Sequence, residues 1–335
     1  MGITGLNKFL KCKSPRAFTT MPLSDFSDKC IAVDANLWLH SNMIVARKKV
    51  LSQMNVLEEP EPEVLRFKLY ESLLEFIIKF LNYRITPVFV FDGPHPIEKE
   101  QTQISRKNKN NIQLQKIITL KQQENVSRVE LFQAFCNYNS TSFSDIEGAR
   151  ELLTSVGIPC LRATGDGEYL CSMLCHEQIV VGVFSADTDN LAHGCPILIT
   201  DFSKNMNYSM NHSMRYFNVV RMDYILQDLN ITLAQFVDMC IMIGCDHNDG
   251  LKGVGPITAY KLISKHWSID ALPKNYDISN LNHVRCRELF AVVLAREVSQ
   301  TDINVGIGKP TAIADERLRL HYDNIILGYQ YLNTK

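Results

Sequence analysis

Seven acidic residues are the side chains of this sequence that could together do chemistry, because each follows a hydrophobic run or stands near the start of a helical segment. They are Asp34, Asp92, Asp166, Glu168, Asp187, Asp189 and Asp246. If they meet in one pocket, they cannot all stay ionised unless cations neutralise their charge. A site made only of oxygen ligands favours Mg²⁺ or Mn²⁺ over Zn²⁺. The set therefore predicts a metal-dependent phosphoryl-transfer enzyme.

Short apolar runs of strand type position three of these acids. The runs are 30–33, 88–91 and 181–186, and they precede Asp34, Asp92 and Asp187. In an open α/β sheet, ligands bind at the carboxyl ends of the parallel strands. If these runs are neighbouring parallel strands, the acids that follow them converge at one edge of the sheet.

The other acids include two pairs with a spacing of two residues, Asp166 with Glu168 and Asp187 with Asp189. Residues two apart do not share a face of a continuous helix, so both pairs belong in loops or in a first helical turn. There, two side chains can reach one ion. Taken singly, each of these acids is better explained as a helix cap, since Asp166, for example, precedes an apolar helix, but seven such acids together are hard to explain as caps.

The remaining pattern predicts one α/β body with helical elaborations. We expect helices at 35–50, 64–82, 145–156, 232–243 and 315–331 and one beginning at about 167, strands at 30–34, 87–91, 157–161, 180–185 and 196–200, and a solvated loop at 55–63. The polar stretch 97–139 has helical propensity without a long apolar stripe. We therefore expect much of it to be exposed and mobile.

Composition is that of a globular protein of 335 residues, with 46% hydrophobic and 21% charged residues. The net charge is −1, and leaving out the seven acids gives +6 for the remainder, so near-neutral charge does not exclude a nucleic-acid partner. Ten cysteines without a CxxC pair indicate reduced thiols rather than a disulfide framework or a zinc site. We find no signal peptide and no uncharged run long enough to span a bilayer, and we expect a soluble intracellular protein.

A glycine-marked turn at Gly253-Val254-Gly255, flanked by apolar helix positions, has the form of a helix–hairpin–helix module. The backbone amides and helix N-terminus of such a module hold phosphate without reading base sequence. The alternative is an ordinary corner between helices with capping glycines. The complete apolar pattern around the turn favours binding to the DNA backbone.

Basic residues follow Asp92 directly, at Lys99, Arg106, Lys107 and Lys109. A charge run of this kind is usually a solvated helix face. Its position would also let it overhang the acidic site, where cations stabilise phosphate charge. The residues alone leave both interpretations open.

Taken together, these motifs resemble the flap endonuclease (XPG-type) family of structure-specific 5′ nucleases over residues 1–265. The resemblance lies in Met1-Gly-Ile-Thr-Gly-Leu6, Ile31-Ala-Val-Asp34-Ala35, Pro87-Val-Phe-Val-Phe-Asp92-Gly93, Asp166-Gly-Glu168, Ser185-Ala-Asp187-Thr-Asp189, Gly244-Cys-Asp246 and the Gly253-Val-Gly255-Pro256 hairpin. It implies a PIN-like α/β fold with a central, mostly parallel sheet, a helical arch and the helix–hairpin–helix module.

The resemblance also implies an activity. The seven acids would bind two Mg²⁺ ions, for which Mn²⁺ substitutes, and the enzyme would hydrolyse phosphodiesters at junctions of single- and double-stranded DNA (flaps, nicks and gaps) in replication, repair and recombination. Lys99 and Arg106 match the family's catalytic basic pair on the arch. The expected DNA contacts are Gly2, His40, Arg47, Lys252, Gly253, Gly255 and Lys261.

Mapped onto one nuclease domain, the resemblance divides the chain into five parts. They are an N-terminal nuclease region at 1–95, the arch or gateway at 97–139, an internal nuclease region at 145–246, the hairpin module at 247–265 and a C-terminal extension at 266–335.

Several positions depart from the family pattern. His40 replaces a tyrosine that stacks on a base, Asp166 replaces a longer Glu, and Gly250 replaces a Ser that helps bind K⁺ at the hairpin. The end of the sequence lacks a clamp-binding peptide, so we expect no docking on a sliding clamp. We also expect a monomer. It would act in the nucleus or at a site of viral DNA replication. The alternatives are an RNA endonuclease of the same superfamily, of the host-shutoff type, and an inactive nucleic-acid-binding scaffold.

Overall fold

A computed structural model describes residues 2–94, 97–123, 125–203, 215–291 and 316–323. Its centre is a seven-stranded sheet with the order β1-β7-β6-β5-β2-β3-β4. The strands are β1 (Phe18–Pro22), β2 (Cys30–Asp34), β3 (Thr86–Phe91), β4 (Cys160–Arg162), β5 (Val183–Phe184), β6 (Ile197–Phe202) and β7 (Tyr216–Arg221). The five strands from β6 to β4 in this order pair in parallel, whereas β7 is antiparallel to both β6 and β1. The expected α/β fold with a mostly parallel sheet is confirmed.

Helices cover both faces of the sheet and extend beyond it. They are α1 (Leu6–Lys13), α2 (Ala35–Gln53), α3 (Pro62–Leu81), α4 (Glu100–Lys121), α5 (Arg128–Asn137), α6 (Phe143–Ser155), α7 (Gly167–His176), α8 (Asp189–Ala192), α9 (Met222–Leu229), α10 (Leu233–Ile243), α11 (Pro256–His266) and α12 (His283–Phe290). Short 3₁₀ turns lie at Pro15–Ala17, Leu23–Phe26, Ile97–Lys99 and Ile269–Ala271. Of the helix expected at 315–331, residues 316–323 are helical and the rest lies outside the described residues.

Alternate residues of the central strands point to opposite faces, and each face has its own hydrophobic core. Val88 and Val90 of β3 join a cluster with α7 and α10, whereas Phe89 and Phe91 join a cluster with α2, α3 and α6. A parallel strand is buried on both faces, which explains why its sequence is a continuous apolar run. The carboxyl ends of these strands are therefore held by two layers of packing.

A third hydrophobic cluster corrects the expectation for residues 97–139. Most side chains from 100 to 116 are exposed or half-buried, as expected. However, the last turns of α4 and the apolar side of α5 bury Ile117, Leu120, Leu131 and Phe135 together with Leu51 of α2. The sequence shows no long apolar stripe because the buried side chains are divided among α4, α5 and α2.

The glycine-marked turn joins α10 to α11, as expected for the hairpin module. Gly253 has φ +76°, and a Cβ placed on Gly253 or Gly255 would meet no atom within 4 Å. Gly255 is the N-cap residue of α11, and Lys252 and Lys261 are exposed. The backbone of this turn is thus open to close approach by another molecule.

None of the ten cysteines forms a disulfide. Among the described residues, no single helix is long and apolar enough to cross a membrane. The pair Met222–Leu229 and Leu233–Ile243 passes that test only when joined, and it is bent by 87°.

Asp145 fixes the start of α6 against α3, and we expect its neutralisation to destabilise the fold. Its carboxylate accepts from Ser142 N in a capping box and from Arg66 Nε at 2.8 Å. Burial opposes ionisation, but these hydrogen bonds and the Arg66 charge outweigh it and lower the pKa of Asp145. A lowered pKa stabilises the protein at neutral pH, and this contribution disappears as the pH falls through the acid range.

In urea denaturation at pH 7, Asp145→Asn should therefore lower the free energy of unfolding by about 1–2 kcal/mol. The difference from the unsubstituted protein should shrink towards pH 3. The control is Asp25→Asn, which changes an exposed acid and should have little effect at either pH. An equal loss at both pH values would contradict the role of the charge.

Gly250 is held in a backbone conformation that leaves no room for a side chain. Its φ is +72°, and a Cβ would lie 2.7 Å from the carbonyl of Ile243 and from Gly244 N. Since these are backbone atoms, they cannot move aside as a flexible side chain would. In urea denaturation, Gly250→Ala should cost at least about 2 kcal/mol, whereas Gly255→Ala, at an open site with negative φ, should cost less than about 1 kcal/mol. If the two substitutions lower the free energy of unfolding equally, the backbone around Gly250 relaxes to accept a side chain.

Candidate active site

Three adjacent parallel strands bring their acids to one edge of the sheet. Asp34 is the last residue of β2, Asp92 directly follows β3, and Asp187 lies three residues beyond β5. Because β2 lies between β5 and β3, these three carboxylates are neighbours. Asp34 and Asp187 are almost completely buried.

Two of the acids hold helix ends as well. Asp34 is the N-cap of α2, where its Oδ1 accepts from Leu37 N at 3.0 Å and its Oδ2 accepts from Ser185 Oγ at 3.1 Å. Asp92 Oδ1 accepts from Gly167 N, the first residue of α7, at 2.8 Å. A side chain at 167 would crowd that oxygen. The sheet edge and the helix N-termini are thus bonded to each other through the carboxylates.

Asp166 is the N-cap residue of α7, but its side chain makes no capping hydrogen bond. Asp92 takes that place, and the Asp166 carboxylate lies 3.0 Å from Lys99 Nζ. The helix-cap alternative therefore describes Asp34 and fails for Asp166.

The second acidic pair begins α8, in a turn against the N-terminus of the chain. Asp189 N donates to Asp187 Oδ1 at 3.1 Å, and Ile3 N donates to the hydroxyl of Thr188 at 3.0 Å. A Cβ on Gly2 would lie 2.1 Å from Asp187 Oδ1 and 2.6 Å from Asp189 Oδ1. Gly2 thus packs directly on the acidic pair, and its missing side chain makes this possible.

Burial and mutual repulsion resist the ionisation of these acids. Burial, followed by the Asp92 charge, raises the pKa of Asp34 to about 7. Burial also raises the pKa of Glu168 and of Asp189 well above their ordinary values, with neighbouring carboxylates adding to the shift. Full ionisation of these acids would therefore place more negative charge at the edge of the sheet than the burial of the site favours.

Two basic side chains at the start of the arch partly neutralise the negative charge of the acids. Lys99 is buried, and its Nζ lies 3.0 Å from Asp166, 3.2 Å from Glu168 and 4.0 Å from Asp246. Burial alone would lower the pKa of Lys99, but the three carboxylates outweigh it and raise it. The half-exposed Arg106 contacts Asp246 at 2.6 Å. The structure thus places both predicted catalytic cations over the acids.

The donor set fits hard divalent cations. Its members are carboxylates, and Asp189 Oδ1 is buried without a hydrogen-bond partner among the described residues. Mg²⁺ or Mn²⁺ would satisfy this oxygen and relieve the repulsion. Within the described ranges, no three acidic, histidine or cysteine side chains are already arranged as a metal cage. The assignment of the seven ligands therefore stays a prediction.

Arg47 corrects an expected DNA contact. Its side chain is fully buried, its Nη1 contacts Glu59 at 2.7 Å, its Nη2 donates to Ser140, and its guanidinium lies 5.1 Å from the centre of the Tyr138 ring. A guanidinium so enclosed does not meet DNA in this conformation. It instead joins α2 to the loop before α3 and to the link between α5 and α6.

His40 lies at the rim of the acidic site and is half-buried. Its Nδ1 is 3.2 Å from Asn139 Nδ2. Burial is the main cause of its lowered pKa, which the nearby Asp92 opposes and Arg106 reinforces. Ser185, Thr188 and Asn139 were not predicted as site residues, because single hydroxyl and amide side chains leave no pattern in a sequence.

Known families and structures agree with this architecture. The XPG N-terminal domain matches residues 1–113 and the XPG I-region matches residues 157–246. Flap endonuclease 1 of Cryptosporidium muris is 30% identical over 309 residues, which cover 89% of this chain and 64% of the relative. Flap endonuclease 1 of Glycine max is 30% identical over 298 residues, covering 87% of this chain and 74% of the relative.

Among solved structures, flap endonuclease-1 from Methanococcus jannaschii has a TM-score of 0.56 at 22% identity, covering 93% of this chain and 96% of that one. This likeness shows the fold. The chain spans a little under two thirds of the Cryptosporidium relative, as the 64% coverage states. From the sequence matches, the chain belongs to the flap endonuclease (XPG-type) family.

Proposed function

We propose that this protein is a Mg²⁺-dependent, structure-specific 5′ nuclease that hydrolyses phosphodiesters at junctions of single- and double-stranded DNA. The observation that carries the proposal is the edge of the sheet, where Lys99, at the start of the arch, lies within 4.0 Å of three of the acids, Asp166, Glu168 and Asp246. The relatives named flap endonuclease 1 support a flapped substrate.

The seven acids are proposed to hold two Mg²⁺ ions, for which Mn²⁺ would substitute. Held by these residues, two such ions would supply a water molecule activated as nucleophile and positive charge at the leaving oxygen. Asp34, Asp92 and Asp187 stand at strand ends fixed by packing on both faces, which keeps the ligands in place. Ser185 orients one of them through its hydrogen bond to Asp34.

Lys99 and Arg106 are proposed as the catalytic cations. Each side chain reaches the acids from the arch. A phosphate bound between the arch and the sheet would therefore contact these two side chains as well as the metal ions held by the acids. Positive charge aimed at the reacting phosphate stabilises the charge that develops in the transition state. Lys99 is well placed because burial strengthens its electrostatic effect.

The hairpin turn is proposed to hold the duplex by its phosphates. Gly253 and Gly255 leave the backbone open, Gly255 begins a helix, and Lys252 and Lys261 are exposed on the same module. These groups bind phosphate without regard to base sequence. Gly250 supplies no hydroxyl, so K⁺ at this turn would depend on backbone carbonyls alone.

Other expectations also stay predictions. They are a monomeric state, no sliding-clamp docking, and action in the nucleus or at a site of viral DNA replication. Whether the substrate is RNA is decided by comparing the cleavage of branched DNA with that of single-stranded RNA. The complete set of acids speaks against an inactive scaffold.

Asp187→Ala should abolish cleavage of a 5′-flap DNA, because it removes a carboxylate from the centre of the cluster. The single-turnover rate in Mg²⁺ should fall by at least about a thousandfold, while binding of the flap stays within a few fold. The control is Asp25→Ala, an exposed acid outside the cluster. Retained cleavage would refute the assignment of Asp187, and faster cleavage of single-stranded RNA than of any branched DNA would refute the substrate.

Lys99→Ala and Arg106→Ala should each slow the single-turnover cleavage of a 5′ flap by about 10²–10³-fold, because each removes a charge aimed at the phosphate. Lys107→Ala, an exposed residue of the same helix, is the matched control and should change the rate little. If Lys99→Ala and Lys107→Ala have equal effects, the arch acts only as a general basic surface.

A further inference from the structure

Asn139, in the link between α5 and α6, connects the arch to α2. Its backbone N donates to Asn110 Oδ1 at 2.9 Å, and its backbone carbonyl accepts from Asn110 Nδ2 at 2.8 Å. The side chain of Asn110, in the middle of α4, is thereby held by two hydrogen bonds to one residue. The link and the arch helix are fastened at this point.

The side chain of Asn139 makes the second half of the connection. Its Oδ1 accepts from Thr141 N at 3.0 Å and from Thr141 Oγ1 at 2.7 Å. These two donors fix which end of the amide is oxygen, so Nδ2 faces His40 Nδ1 at 3.2 Å. An amide nitrogen only donates, so Nδ1 of His40 must accept, and the ring of His40 is neutral with its proton on Nε2.

This tautomer matters because of where His40 lies. The ring is within electrostatic range of Asp92 in the acidic cluster and of Arg106 on the arch. The ring is half-exposed, and its hydrogen bond to Asn139 uses Nδ1 and not Nε2. A single strand passing between the sheet edge and α4 would present phosphate oxygens, which are acceptors, to this neighbourhood.

We propose that Asn139 is a positioning residue that holds His40 as the Nε2–H tautomer, so that His40 donates a hydrogen bond to a phosphate oxygen of the strand under the arch. This rests on the proposed nuclease function. The same residue ties α4 to α2, because its backbone binds Asn110 of α4 and its side chain binds His40 of α2, so the position of the arch and the state of His40 are set together. An aromatic side chain at 40 that stacks on a base would need no such partner.

The first experiment is independent of cleavage. ¹⁵N NMR of the histidine rings, in the DNA-free protein with His40 assigned by loss of its signals in His40→Gln, should show Nδ1 as the unprotonated nitrogen. Asn139→Ala should turn this into a mixture of tautomers, and Asn139→Asp, whose carboxylate accepts, should favour a ring protonated on Nδ1. The control is Asn137→Ala, an exposed residue two positions away, which should leave the spectrum unchanged.

The second experiment is single-turnover cleavage of a 5′ flap. His40→Phe keeps a ring and loses the donor, and it should slow the reaction by about tenfold. His40→Gln keeps a donor near the Nε2 position and should lose less than His40→Phe. Asn139→Ala should slow cleavage in the unsubstituted background and have no added effect in the His40→Phe background.

Three results would overturn the proposal: a protonated Nδ1 in the unsubstituted protein, a His40→Phe variant as fast as the unsubstituted enzyme, or additive losses in the double variant. A protonated Nδ1 would contradict this proposal without contradicting the proposed nuclease function. Absence of all cleavage by the unsubstituted enzyme, with the expected tautomer observed, would instead refute the nuclease function alone.

Discussion

Repulsion among buried carboxylates at one sheet edge is the constraint on which the rest of this structure depends. The acids are held there by parallel strands whose two faces are packed, so they cannot move apart. Several neighbouring groups lower the free-energy cost of this repulsion. Asp92 accepts a hydrogen bond from the start of α7, and Lys99 lies among three carboxylates. Gly2 and Gly167 leave room for the carboxylates because they have no side chain. A cluster of buried acids is unfavourable without a cation, and such clusters are typical of sites that bind a cationic ligand.

The parts of the fold and site that could be predicted from the sequence are those with local causes. The runs that form β2 and β3 are apolar because parallel strands are buried on both faces, and the acids are found by looking just past them. β1 and β7 are missing from the predicted strands, because neither is a continuous buried run: β1 is an edge strand without a buried residue, and only half the residues of β7 are buried. β5 was placed correctly but is shorter than its apolar run.

Arg47 shows why position in a motif does not fix a role. The expectation of a DNA contact rests on the family resemblance, in which a basic residue stands beside the acidic site at this position. Its partners, Glu59 and Ser140, are 12 and 93 residues away. Such distant partners leave no local signal, and a guanidinium enclosed by them has a structural role in joining the arch to the body. The burial of Lys99 was hidden in the same way, since its carboxylate neighbours come from elsewhere in the chain.

The small cluster of Leu51, Leu57, Ile117, Leu120, Leu131, Ala134, Phe135 and Cys136 is separate from the two cores of the sheet. Free energies of opening differ between the parts of a protein, and a part with its own few buried contacts opens without the rest. The attachment of α4 and α5 to α2 is therefore held by these eight side chains and by polar ties, apart from the two cores that stabilise the sheet. Substitutions in this cluster should loosen that attachment while leaving the packing of the strands that carry the acids unchanged.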